Sequence, residues 1–415
     1  MLGVIYMNRL IKEFKFYHPL VWVIIFGTMF ARAGSFMSLP FLTIYLANES
    51  DLSVGLIGLT VGFGAISGVF GGFFGGNLSD QFGRKKVLLY TLFVWAFVFI
   101  GFGMTTNVVL IILLNILNGL CRSFFEPTSQ ALLSDLTTEE KKMRVFSYRY
   151  MAINVGAAIG PLLGAYFALK SAGLTFIITG CLYLIYAIAL TFTLNKFSNE
   201  LKPAGKKEKV RISAAINVIR KDLALGFFIL AGTLSFIGYA QYDSNLPLFM
   251  KEKIDNAASI YSMLLTINAI VVVIFQPFIT KWSEKKPILV NMAIGTGLLC
   301  IGMLAFSAGF HWSIFVLGII VFTLGEILIV PSGSLFIDKL AKGDLKGTYF
   351  GASNFRMLGM FIGPALGGSL LEGLGGEMMF IIISVLTAVS LIFYILGNKV
   401  ASKEEAKIIE VQNSM

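Results

Sequence analysis

Twelve apolar runs, each long enough to cross a bilayer, leave this 415-residue chain few folds to choose from. They fall roughly at 19–46, 53–78, 86–105, 107–134, 143–169, 172–194, 223–250, 257–280, 286–307, 311–338, 346–371 and 375–397. A helix needs about 20 apolar residues to span hydrocarbon, and it satisfies its own backbone N–H and C=O groups while doing so. A membrane barrel would show short alternating segments instead. Hydrophobic residues make up 56% of the chain and charged residues only 13%. Soluble chains carry roughly 25% charged residues, so this is an integral membrane protein of all-α class.

Twelve spans put both termini on one side. Of 33 Lys and Arg, 26 fall in the two tails and in the loops on that side. Lys170, Lys251 and Lys253 lie on the other side, and four more cations lie inside spans. Cytoplasmic loops carry the basic excess, so both termini are expected in the cytoplasm. The net charge of +10 therefore reflects topology, and no nucleic-acid partner is expected. Cys121, Cys181 and Cys300 sit singly in apolar spans, as small packing residues do. The first 20 residues lack a signal-peptide cleavage pattern and read as a basic, partly amphipathic surface segment. There is no GxxxxGK[ST] phosphate loop, nucleophile set or metal-ligand set. The chain reads as no enzyme, with no cofactor and no metal.

The longest polar connector, residues 195–222, carries eight Lys and Arg and divides six spans from six. The expected organisation is a six-helix bundle over 1–194, a cytoplasmic linker over 195–222, a second six-helix bundle over 223–397 and a cytoplasmic tail over 398–415. The halves repeat one another. FFEPTSQALLSDL (124–136) in span 4 recurs as LIVPSGSLFIDKL (328–340) in span 10, and GAAIGPLLGA (156–165) in span 5 as GMFIGPALGG (359–368) in span 11. Leu39-Pro40 answers Leu246-Pro247, and RKKVLL (84–89) is echoed by EKKPIL (284–289). Paired six-helix repeats are a known transporter design, with substrate bound near the bilayer midplane.

GNLSDQFGRKK (76–86) resembles the loop signature of the major facilitator superfamily, and GAAIGPLLGA resembles the Gly-Pro signature of its antiporters. YDSNLPLFM in span 7 and LGEILIVPS in span 10 are similar to a multidrug subgroup of the bacterial twelve-helix drug–proton antiporters. The resemblance implies two six-helix bundles around a central cavity lined by spans 1, 4, 7 and 10. Three features depart from the family pattern. Arg122 follows Gly119 in span 4 instead of preceding it, the second loop signature is eroded to TKWSEKKP (280–287), and Arg149 stands where the subgroup carries an acid. The last change argues against a simple lipophilic-cation specificity.

Within the loop signature, Gly76, Asp80, Gly83, Arg84 and Lys85 form a candidate gating loop. Gly83 permits a tight turn. An Asp80 carboxylate docked on the N-terminus of span 11, the positive end of its dipole, and bridged to Arg84 or a neighbour, would latch the two halves. Gly156, Gly160, Pro161 and Gly164 line one helical stripe that allows close helix contact, and Gly359, Gly363, Pro364 and Gly367 repeat it.

Seven charges fall well inside spans, away from their ends, and are the candidate substrate-cavity residues: Arg32, Arg122, Glu126, Arg149, Asp243, Glu326 and Arg356. Five of them lie on the helices that the resemblance assigns to the cavity. Charged residues at such depth are costly and mark functional sites. Arg122 and Glu126, four apart on one helix, are placed to pair with each other; Arg149 and Arg356 lie where a long side chain can snorkel to the interface. Asp243 and Glu326 have no cation within four residues on their helices. Burial disfavours a carboxylate's charged form, so these two are the candidate proton carriers, whereas His18 and His311 lie at membrane edges.

The sequence thus reads as a proton-coupled exporter of small amphiphilic molecules in the cytoplasmic membrane, working by alternating access as a monomer. Its partners are a small-molecule substrate, protons and the lipid bilayer. An exporter of a zwitterionic metabolite, such as an amino-acid-derived metal chelator, is the alternative that the arginines favour. Proton-coupled uptake on the same fold, a non-transporting receptor and a lipid scramblase are the remaining rivals.

Overall fold

Each apolar run forms a long helix in the computed structural model, which describes residues 16–49, 54–168, 172–198 and 220–413. The expected N-terminal surface segment lies almost wholly outside these residues, as does most of the 195–222 linker. Spans 1 to 6 are Pro19–Glu49, Val54–Phe82, Arg84–Met104, Val108–Asp135, Glu139–Ala168 and Ala172–Lys196. Span 7 is Leu223–Ser244 continued by Leu246–Lys253, span 8 is Ala257–Ser283, span 9 is Ile288–Ser307 and span 10 is Trp312–Leu340. Span 11 is Lys346–Ser353 and Leu358–Leu374, joined by the 3-10 turn Asn354–Met357, and span 12 is Gly376–Asn413.

Among the described residues, ten helices are long and apolar enough to cross a membrane on length and composition alone. The other two, Val54–Phe82 and Glu139–Ala168, are 29 and 30 residues long. The protein is a multi-pass membrane protein. Two of the expected continuous helices are interrupted. Span 7 breaks at Asn245, where Pro247 opens the following short helix and cannot supply an N–H, whereas span 1 continues through the corresponding Pro40. Span 11 breaks at the 3-10 turn that carries Arg356, while Pro364 is accommodated inside a helix.

The chain forms two compact units: Met1–Arg211 with Gly343–Gly351, and Ile212–Lys342 with Ala352–Met415. In the first, span 1 packs on spans 5 and 6, span 2 on span 4, and span 3 on spans 4 and 6. The second repeats this scheme, with span 7 on spans 11 and 12, span 8 on span 10, and span 9 on spans 10 and 12.

The glycine stripes allow close approaches between these helices. A methyl on Gly156 would lie 2.5 Å from Met29 O and 2.8 Å from Arg32 Cβ of span 1, and one on Gly160 would lie 2.6 Å from Ala33 O. In the second unit a methyl on Gly359 would lie 2.7 Å from Phe236 Cβ of span 7, one on Gly363 2.7 Å from Ala240 Cβ, and one on Gly367 2.5 Å from Asn245 Nδ2. Gly164 is buried on the same stripe, while Pro161 is exposed and Pro364 half-buried. Gln241 donates to Gly363 O at 2.9 Å, and Asn245 to Pro364 O at 3.3 Å, tying span 7 to span 11. Such packing and interhelical hydrogen bonding drive helix association in lipid, where burial of apolar surface supplies little.

The apolar interior of the first unit centres on Trp95, Phe99, Phe102, Phe125 and Tyr183, and that of the second on Phe249, Phe306, Phe315, Phe322 and Phe380.

Candidate functional site

In the first unit the charges of three spans converge. Arg32 of span 1 and Arg149 of span 5 each donate from a guanidinium nitrogen to a different oxygen of Glu126 on span 4. All three side chains are at most 15% exposed. The Gly156 and Gly160 contacts bring span 5 against span 1 and so set the two arginines near one carboxylate. Pro127 follows Glu126 inside the helix; lacking an N–H, it frees a carbonyl one turn back.

This arrangement corrects two expectations. Glu126 pairs across helices, not with Arg122 four residues before it. A carboxylate has two oxygens, and partners from two other spans occupy both. Arg149 is buried on Glu126 and does not reach for the interface. Arg122 is exposed and makes no ion pair among the described residues, although the charges of Arg32 and Glu126 both act on it.

In the second unit Glu326 is 4% exposed in the middle of span 10. Asn268 of span 8 donates from Nδ2 to its Oε2 at 2.9 Å and to Thr323 Oγ1 at 2.8 Å. Tyr242 of span 7 lies within electrostatic reach of both Glu326 and Asp243. Its hydroxyl is buried with no hydrogen-bond partner among the described residues. The Tyr261 hydroxyl donates to Tyr242 O at 3.2 Å, and that ring too feels Asp243. Asp243 itself is exposed, in the last turn before the Asn245 break. Glu326 is enclosed by protein on all sides, and neighbouring groups of the second unit also remove much of the water around Asp243.

Arg356 is half-buried on its 3-10 turn, with the guanidinium 5.7 Å from the Phe228 ring centre and 5.5 Å from that of Phe236. These are cation–π distances, so the side chain folds onto span 7 instead of snorkelling.

Sequence reasoning missed Asn268, Thr323, Tyr242 and Tyr261. Asn268 interrupts the run SMLLTINAIVVVIF and was detectable as a lone amide in an apolar span. Attention to charge alone passes over it.

A second cluster lies at the Asp80 end of span 2, within the first unit. Asp80 accepts from Gly347 N at 3.0 Å, Thr348 N at 2.7 Å and Thr348 Oγ1 at 2.6 Å, and is also bonded by Arg84. Its side chain is 1% exposed. The two N–H groups belong to the first turn of Lys346–Ser353, where backbone donors lack helical partners. Arg84 reaches Asp135 of span 4 at 3.3 Å, and Lys346 donates to Ser134 Oγ at 2.8 Å. A methyl on Gly347 would lie 2.5 Å from Gly76 O. Gly83, at φ 91°, is the single residue between spans 2 and 3. Lys85 leaves this cluster and donates to Asn195 Oδ1 of span 6 at 2.8 Å. Among the described residues, no group of three His, Cys, Asp or Glu side chains is placed to hold a metal ion.

The sequence matches the profile of the Major Facilitator Superfamily over residues 24–357. It is 37% identical to the uncharacterized MFS-type transporter YqjV of Bacillus subtilis, over 92% of this chain and 93% of that one. It is 28% identical to a Na(+), Li(+), K(+)/H(+) antiporter of Planococcus maritimus, over 81% and 86%. It is 25% identical to Multidrug resistance protein 2 of B. subtilis, over 85% and 89%. The crystal structure of the human organic anion transporter MFSD10 (TETRAN) superposes with a TM-score of 0.69 over 90% of this chain and 98% of that one, at 16% identity. At that identity the likeness speaks for the fold alone.

Proposed function

Because the chain belongs to the major facilitator superfamily, whose members are membrane transporters, we propose that it is a proton-coupled antiporter exporting small amphiphilic molecules by alternating access. It works in the cytoplasmic membrane, as a monomer, with both termini in the cytoplasm. The observation that carries this reading is Glu326: a carboxyl side chain buried in mid-span, hydrogen-bonded by Asn268 and within electrostatic reach of Tyr242, whose hydroxyl has no partner among the described residues. Such a site stabilises a carboxylate by donation while its burial favours the neutral acid, so that a proton can bind and leave within one transport cycle.

Facing outward, the protein releases substrate and takes a proton on Glu326, with Asp243 as the second carboxylate. Facing inward, it loses the proton and admits the next substrate. The docking of Asp80 on the first turn of Lys346–Ser353 holds one of the two states, and breaking it permits the exchange. Relatives named as a cation–proton antiporter and a multidrug resistance protein support both the coupling and the substrate range.

The test is flux in proteoliposomes under an imposed pH gradient, with cationic dyes, neutral drugs and zwitterionic chelators offered in turn. Gradient-driven movement that is lost in Glu326→Gln supports the reading. Equal flux with and without the gradient, unchanged in Glu326→Gln and Asp243→Asn, would refute it.

A further inference from the structure

The first unit sets three guanidiniums around one carboxylate, and the carboxylate is already fully engaged. Arg32 and Arg149 take one oxygen of Glu126 each. Arg122 is left with no hydrogen bond or ion pair among the described residues, yet it is exposed on the helix that carries Glu126. Arg32 acts on it repulsively and Glu126 attractively, so it lies at the positive edge of the cluster. An arginine held at that depth with no directly bonded anion is costly, and an incoming anion relieves the cost. The internal repeat adds a second observation. The register that sets Pro331 on Pro127 sets Glu326 on Arg122. Equivalent positions of spans 10 and 4 thus carry opposite charges, one an acid and the other a base.

We propose that Arg122 is the substrate's anion-binding residue, taking the carboxylate of an amphiphile that also bears an amine. This rests on the transport reading above and narrows its substrate class from amphiphiles in general to amphiphilic zwitterions. A guanidinium suits the role because its planar fork can hold both carboxylate oxygens. Arg32 and Arg149 hold the local field positive while Glu126 keeps them in place, so neither competes for the ligand.

The probes are dansyl-lysine, which carries an amine and a carboxylate beside an aromatic body, and its methyl ester, which lacks the carboxylate. Binding is read from dansyl fluorescence on the purified full-length protein in detergent, for wild type, Arg122→Gln and Arg122→Lys. Wild type is expected to prefer the acid over the ester by about tenfold, the scale of one charge-assisted hydrogen bond. The preference should fall to about unity in Arg122→Gln and return in part in Arg122→Lys, which keeps the charge without the fork. Equal affinity for acid and ester in wild type, or a preference unchanged in Arg122→Gln, would overturn the proposal. Ester affinity serves as the folding control, since it should be the same in all three proteins. Gradient-driven uptake of ethidium by wild-type proteoliposomes, run in parallel, separates the two readings. Ethidium flux with no acid preference leaves antiport standing and removes the anion site; an acid preference without any gradient-driven flux does the reverse.

Discussion

Asn268 donates from Nδ2 to Glu326 Oε2 at 2.9 Å, in the interior of the second unit. The same amide reaches Thr323 Oγ1, whose own hydroxyl donates to Ile319 O at 2.7 Å. A carboxyl group in a span is thereby given a fixed partner on a neighbouring helix, and removal of that partner leaves a buried polar group short of a donor. Asn268→Leu is therefore expected to lower gradient-driven flux by about tenfold, the order of one hydrogen bond to a charged group. Asn268→Gln should retain more activity than Asn268→Leu. Initial rates in proteoliposomes at a fixed gradient measure both.

Glu126 holds two arginines, so its loss is a matter of stability before activity. Glu126→Gln leaves Arg32 and Arg149 without their anion, and breaking a buried pair from one side costs about 3 kcal/mol or more. The melting temperature in detergent should drop clearly. Removing the whole set with Glu126→Gln, Arg32→Met and Arg149→Met should restore much of the loss, because neither of the two paired arginines is then left buried without its anion.

Asp80 and Gly347 act at one contact by different means. Asp80→Ala removes the acceptor for two N–H groups and a hydroxyl. Gly347→Ala keeps the acceptor but places a methyl 2.5 Å from Gly76 O, a backbone atom that cannot move aside. Both variants should reduce flux by tenfold or more. A double variant should be little worse than either single one, since the two changes disrupt the same docking. Additive losses would separate the two roles.

The glycine stripes should be intolerant to bulk in both halves alike. Gly156→Leu and Gly359→Leu each force a side chain into a neighbouring helix, and overpacking of a dense interior typically costs 1–3 kcal/mol. The expected result is a lower melting temperature for both variants, with Gly297→Leu, whose site has nothing within 4 Å, as the neutral comparison.

The helices were legible in the sequence because lipid allows little else: a run of apolar residues must satisfy its own backbone. The breaks at Asn245 and at Asn354–Met357 were not, since Pro40 and Pro364 sit inside continuous helix while the similar Pro247 begins a new one. Tertiary contacts decide that difference, as when Gln241 and Asn245 bond span 11 carbonyls. The intramembrane charges were visible as rare residues, but their pairing was not. Spacing on one helix suggested Arg122 as the partner of Glu126, whereas the fold supplied Arg32 and Arg149 from residues 94 and 23 positions away. Asn268 escaped notice because an amide carries no charge, although in hydrocarbon it needs a partner as a charge does.

The central claim is that substrate and proton contend for Glu326, and proton release reports on it most directly. Ethidium would be added to purified protein in weakly buffered detergent solution near neutral pH, with a pH-sensitive dye following the proton. The expected result is a rapid acidification in wild type that is absent in Glu326→Gln, while ethidium fluorescence shows binding to both. Ethidium binding with no proton release in wild type, or with the same release in Glu326→Gln, would contradict proton exchange at this residue.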